Sequence, residues 1–162
     1  MGFNRKRNKY QIKFKDMKII QSIQNKIYEV RGQRIMLDRD LAELFDVEPR
    51  ILNQAVKGND KRFPEGFMFR LTDIEWLDIQ SKRVDQYDHL SSRSQIVILN
   101  TTRGNNTKYL PYAFTEQAVA MLSSVFRSEK AIEMNIAIMR AFVEIRKVLY
   151  RLKKGSESMM SN

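Results

Sequence analysis

The stretch that decides the fold runs Asp38-Arg39-Asp40-Leu41-Ala42-Glu43-Leu44-Phe45, then Asp46-Val47-Glu48, then Pro49-Arg50-Ile51-Leu52-Asn53-Gln54-Ala55-Val56-Lys57, closed by Gly58-Asn59. It predicts two short helices separated by a turn. Asp38 offers an N-cap to the first helix. Pro49 occupies the first position of the second, where its missing N–H costs nothing, and Gly58 is placed to end it. On that second helix, at about 100° per residue, Ile51, Leu52, Ala55 and Val56 gather on one side. Arg50, Asn53, Gln54 and Lys57 fall on the other, within roughly a 100° arc. Leu41, Ala42 and Phe45, with Val47 in the turn, supply apolar surfaces that lock the pair at a steep angle, the spacing of a helix-turn-helix. Asp46 stands where glycine is the usual choice, and Asp tolerates a left-handed backbone better than most residues.

The four polar residues are those that read a base edge. Arg donates twice to guanine, Asn and Gln each grip adenine by two hydrogen bonds, and Lys neutralises phosphate. Lys61 and Arg62, just beyond the second helix, extend the same positive charge. A helical hairpin inside an unrelated domain fits the apolar pattern equally, so periodicity alone leaves DNA binding and a purely structural pair both open.

Outward from this stretch, a glycine turn around Arg31-Gly32-Gln33 lies between apolar segments and predicts a β-hairpin over residues 27–37. A short helix is expected over 18–26. Downstream, Phe67-Met68-Phe69-Arg70-Leu71 alternates as a strand, and Thr72-Asp73-Ile74-Glu75 is a capping box opening a short helix through Trp76 and Ile79. Ser81–Ser94 is polar and is expected to be a loop. Ser94–Leu99 and Tyr109–Phe114 predict two strands joined by a connector that carries Arg103 and Lys108 and no acid, suited to a wing that reaches a phosphate backbone or a minor groove. Pro111 confines its strand to an edge or a bulge. Thr115 caps a helix over Glu116–Phe126, apolar enough to be the buried centre. Ser128 caps a long helix from Glu129 to about Leu152, about 36 Å at about 1.5 Å per residue, whose far end, Phe142–Leu152, is a candidate homodimer seam.

The expected class is therefore α+β: a small domain containing a helix-turn-helix, with short β-hairpins and a long carboxy-terminal helix. The expected division is a basic flexible arm over 1–17, the DNA-binding domain over 18–128, the long helix over 129–152 and a disordered tail over 153–162. Charge follows that division. The chain of 162 residues has 29 Lys and Arg against 19 Asp and Glu, a net +10. Residues 1–20 hold seven basic residues and one acid, residues 146–162 five and one, and the middle balances at 17 against 17. Basic ends on a neutral body suit phosphate contacts added to a weakly charged module, and serve equally for solubility.

Other classes recede. With no cysteine, disulfide scaffolds, thiolate zinc sites and cysteine nucleophiles are excluded. The longest apolar runs, Ile96–Leu99 and Ala118–Leu122, fall far short of the roughly 20 residues that span a bilayer. Neither a signal peptide nor an amino-terminal lipid pattern is expected, which favours a cytoplasmic, nucleoid-associated protein. Asp85, Asp88 and the single His89 lie close enough for a nuclease-like metal site, but on a segment expected to lack rigid support. No enzyme, cofactor or metal is expected. No strand carries the paired exposed aromatics of an RNA stacking platform.

Residues 27–71 together with 94–148 resemble the amino-terminal domain named for open reading frame six of bacteriophages (ORF-six-N), related to the KilA-N and Bro-N domains. The resemblance is carried by Val30-Arg31-Gly32, Leu41-Ala42-Glu43-Leu44-Phe45, Leu52-Asn53-Gln54-Ala55-Val56-Lys57-Gly58-Asn59, Arg62-Phe63-Pro64-Glu65-Gly66-Phe67-Met68-Phe69, Tyr109-Leu110-Pro111-Tyr112-Ala113-Phe114-Thr115-Glu116-Gln117 and Met139-Arg140-Ala141-Phe142. It implies a compact double-stranded-DNA-binding domain of phage or prophage origin, commonly joined in antirepressor-type regulators to a separate carboxy-terminal domain, which is not expected here. It does not say which residues touch bases. A regulator that grips a repressor protein through the long helix is the alternative partner reading, and salt dependence separates the two.

Overall fold

The computed structural model describes residues 15–87 and 109–161. The chain is helical over residues 15–24 (α1), starting earlier than expected. The hairpin follows as β1 (Ile27–Val30) and β2 (Gln33–Leu37), with Val30 opposite Gln33. Its two loop residues, Arg31 at φ 54° and Gly32 at φ 73°, form the left-handed turn whose twist matches paired strands. A non-glycine residue there costs about 1–2 kcal/mol. Arg31 offsets this with a two-pronged ion pair to Glu75, at 2.9 and 3.0 Å, and by lying 4.2 Å over the Phe69 ring.

Helices α2 (Asp38–Phe45) and α3 (Pro49–Lys57) stand where the sequence places them. The cap differs. Leu37 is the N-cap of α2 and Asp38 is its first residue, because β2 runs straight into the helix and leaves no loop in which a side chain could cap. Asp46 ends α2 in the left-handed conformation (φ 58°, ψ 45°), its N–H reaching the Glu43 carbonyl at 3.1 Å and Val47 N–H reaching the Ala42 carbonyl at 2.9 Å. These are the two closing bonds that satisfy a helix's last carbonyls.

A turn of 3-10 helix (Asp60–Arg62) leads to β3 (Met68–Arg70), and the last strand is β4 (Tyr112–Thr115). The sheet is antiparallel in the order β1-β2-β4-β3. The strand of Pro111 is thus interior, against the expected edge or bulge. Pro111 sits just ahead of β4, so its missing N–H falls outside the ladder while its carbonyl accepts the Leu71 N–H at 3.0 Å. Met36 and Phe114 point into one core with α2, α3 and the two helices that follow β4; Ile35, Leu37 and Ala113 point to the other side, with Leu71 and Ile79. The sheet is buried on both faces, as period-two alternation between two apolar layers requires.

On that second face lies α4 (Asp73–Tyr87). Its capping box closes reciprocally: Thr72 Oγ1 accepts the Glu75 N–H at 3.2 Å, and Glu75 Oε1 accepts the Thr72 N–H at 2.9 Å. The helix carries through 81–87, where a loop was expected, because Arg83 on this added turn docks against the body: its guanidinium pairs with Asp40 and donates to Tyr28 Oη at 2.8 Å. Burial pushes the Asp40 carboxyl above its ordinary value despite that pair.

Helix α5 (Glu116–Leu122) ends before the expected Phe126, since the Ser123 and Ser124 hydroxyls each donate at 2.7 Å to carbonyls three residues back. Thr115 caps it by accepting the Ala118 N–H, and Ala118, Val119 and Leu122 are buried; Ala120 and Met121 are exposed, so it is not buried on all sides. Ser128 caps α6 (Glu129–Met160), whose 32 residues span about 48 Å. The expected tail is helical through Met160, since a single Gly155 costs only about 1 kcal/mol inside a helix. From Arg146 onward every described residue of α6 is exposed. Among the described residues, no helix is long and apolar enough to cross a membrane.

Candidate nucleic-acid interface

The candidate interface centres on α3, and the way α3 is seated decides which side chains are available. Leu52 and Val56 are buried and join Leu41, Ala42 and Phe45 of α2 in one cluster. Phe45 stacks on Phe126 with ring centres 5.5 Å apart, and Lys130 of α6 reaches Asp46 at 3.1 Å, so the turn between α2 and α3 is tied to the long helix on its outer side. The pair cannot pivot without disturbing both contacts.

With the buried stripe centred on Leu52 and Val56, the opposite face presents Arg50, Gln54 and Lys57, all exposed. They fall within about 60° of one another on a regular helix. Lys61 and Arg62, also exposed, follow on the 3-10 turn that packs against the end of α3. Among the described residues none of Arg50, Lys57, Lys61 or Arg62 has an ion-pair partner. Uncommitted cations on a helix and the turn that packs against its end suit a polyanion, because no internal pair has to break before they bind.

Two residues of α3 depart from the sequence reading. Asn53 is half-buried: its Nδ2 donates to Asp38 Oδ2 at 3.3 Å, and its Oδ1 is buried with no hydrogen-bond partner among the described residues. The other Asp38 oxygen accepts the Arg39 N–H at 2.8 Å. This amide ties the start of α2 to the middle of α3. Ile51, expected on the apolar side, is 41 % exposed. Both follow from where the buried stripe points: Asn53 lies about 80° from its centre and Ile51 about 120°, so the polar residue lands at the margin and the apolar one outside it. A wheel centred on Leu52 and Val56, without Ile51, is the signal that identifies them.

The remaining expected contacts, Arg103 and Lys108, lie outside the described residues, as do Asp88, His89, most of the basic arm, the strand expected over 94–99 and the expected wing. Among the described residues no group of three or more acidic or His side chains is placed to hold a metal.

Comparison with known families gives one result. The family model of the ORF6N domain matches residues 25–125, which includes the hairpin, α2, α3, the sheet and α5. No curated protein and no solved structure matches the chain.

Proposed function

The chain belongs to the ORF6N domain family, which is phage-associated, and on that premise we propose that it is a sequence-specific double-stranded-DNA-binding protein, a phage or prophage transcriptional regulator of antirepressor type. Helix α3 enters the major groove. Arg50 and Gln54 reach base edges, Arg50 with the fork that suits guanine and Gln54 with the amide that suits adenine. Lys57, Lys61 and Arg62 hold the flanking phosphates and set the register. Arg103, Lys108 and the arm at 1–17 add backbone contacts around this centre. The observation that carries the reading is the exposed stripe of Arg50, Gln54 and Lys57, uncommitted to any partner among the described residues and continued by Lys61 and Arg62.

The test is selection from a duplex library with a randomised core. The intact protein is expected to enrich a defined sequence. Arg50→Ala is expected to cost on the order of 1–3 kcal/mol on the enriched duplex and to relax preference at one position. Equal loss on enriched and random duplexes would remove base reading from α3.

The carboxyl half of α6 favours a second role. Val148, Leu149, Tyr150 and Leu152 are exposed on a part of the helix that leaves the body. We propose it as a protein contact, a homodimer seam in the first instance and a repressor-binding surface in the antirepressor alternative. A monomer whose size in solution is unchanged by Leu149→Lys and Leu152→Lys removes the dimer.

A further inference from the structure

The exposed position of Ile51 extends the α3 reading to a kind of base that the polar stripe does not select. Isolated exposed apolar residues are common and by themselves need no explanation. Ile51 differs in where it stands. It occupies the first turn of α3, directly after Arg50, and the first turn of a recognition helix is the part that contacts base edges. It flanks Gln54 on a surface otherwise made of Arg50, Gln54 and Lys57, about 60° round the helix from Gln54. The neighbouring first-turn position, Pro49, carries no donor. On the opposite flank Asn53, the residue best suited by type to adenine, is held by Asp38.

We infer that Ile51 is a specificity-determining residue that packs on the C5-methyl group of a thymine in the major groove, and that the stripe which reads sequence is Arg50, Ile51 and Gln54, without Asn53. In the major groove, thymine alone of the four standard bases offers a methyl group, and an apolar side chain placed beside Arg and Gln discriminates it from cytosine without any hydrogen bond. The basic surroundings select DNA as the occupant of this apolar spot: Arg50, Lys57, Lys61 and Arg62 carry no ion-pair partner among the described residues and form a field suited to a polyanion. The inference rests on the proposal that α3 enters the major groove.

The test uses the full chain and the duplex it enriches from a randomised library, with each thymine of that duplex replaced in turn by deoxyuridine, which keeps every hydrogen-bonding group and removes only the methyl. At one thymine the replacement is expected to weaken binding about fourfold, the effect of one buried methylene-sized group. Ile51→Ala is expected to bind the thymine and deoxyuridine duplexes alike, at about the strength with which the unaltered protein binds deoxyuridine. Asn53→Ala is expected to keep the unaltered discrimination. If the unaltered protein binds thymine and deoxyuridine equally at every position, or enriches a core without thymine, the inference falls while enrichment itself still supports the α3 reading. If no duplex is enriched, the α3 reading falls and takes the inference with it.

Discussion

Removing one unpaired cation beside α3 should change how binding responds to salt by a predictable amount. Lys57, Lys61 and Arg62 are exposed and free of ion pairs among the described residues, so each is available to one phosphate. Each phosphate neutralised on duplex DNA contributes about −0.9 to the slope of log affinity against log salt, so three contribute about −2.7. Between about 50 and about 200 mM salt this weakens binding about 40-fold. With Lys57→Ala the contribution falls to about −1.8 and the loss over the same range to about 12-fold. Any further phosphate contact steepens both absolute slopes equally, so the diagnostic quantity is the difference of about 0.9 between the two proteins. Fluorescence anisotropy with a labelled duplex, titrated at several salt concentrations, measures it directly. A slope identical in the two proteins would show that Lys57 does not meet phosphate, and a slope near zero in the unaltered protein would show that the whole face does not and would transfer the partner to an apolar protein surface.

Three further outcomes follow from the packing. Asn53→Ala should destabilise the fold by about 1 kcal/mol by leaving the buried Asp38 carboxylate one donor short; an Asp38 and Asn53 double-mutant cycle in urea measures the coupling, and an unchanged stability combined with altered base preference would return Asn53 to the reading stripe. Phe142→Ala, at a fully buried position on α6, should cost about 3–5 kcal/mol in the same assay, and a cost below about 1 kcal/mol would mean that α6 does not close the core. Glu75 is held down to about 2 by the Arg31 guanidinium; a carboxyl lowered on folding stabilises the fold fully above its ordinary value of 4.5 and loses that contribution as pH falls toward 2. The pair is exposed and screened by solvent, so the contribution is small. Glu75→Gln should flatten that part of the stability profile, and a profile unchanged by the substitution would show the pair contributes nothing.

What was legible in the chain by itself was whatever depends on residues within a turn or two of each other. The hairpin at Arg31-Gly32, the α2 and α3 pair, Pro49 opening α3, the capping box at Thr72, the Ser128 N-cap and the left-handed Asp46 all follow from local backbone preference and spacing, and the structure places each of them there or within a residue. The motifs that announced the family are of the same local kind. Tertiary structure alone decided the rest, because it turned on which distant group a side chain meets. Arg83 extends α4 through a region composed like a loop because Asp40 and Tyr28, some forty and fifty residues away, receive it. Pro111 tolerates an interior strand because the ladder begins one residue later. On α3, a helical wheel separates polar from apolar without saying which arc the core will cover. The direction of Leu52 and Val56 against α2 settled that, turning Asn53 toward Asp38 and leaving Ile51 in the open.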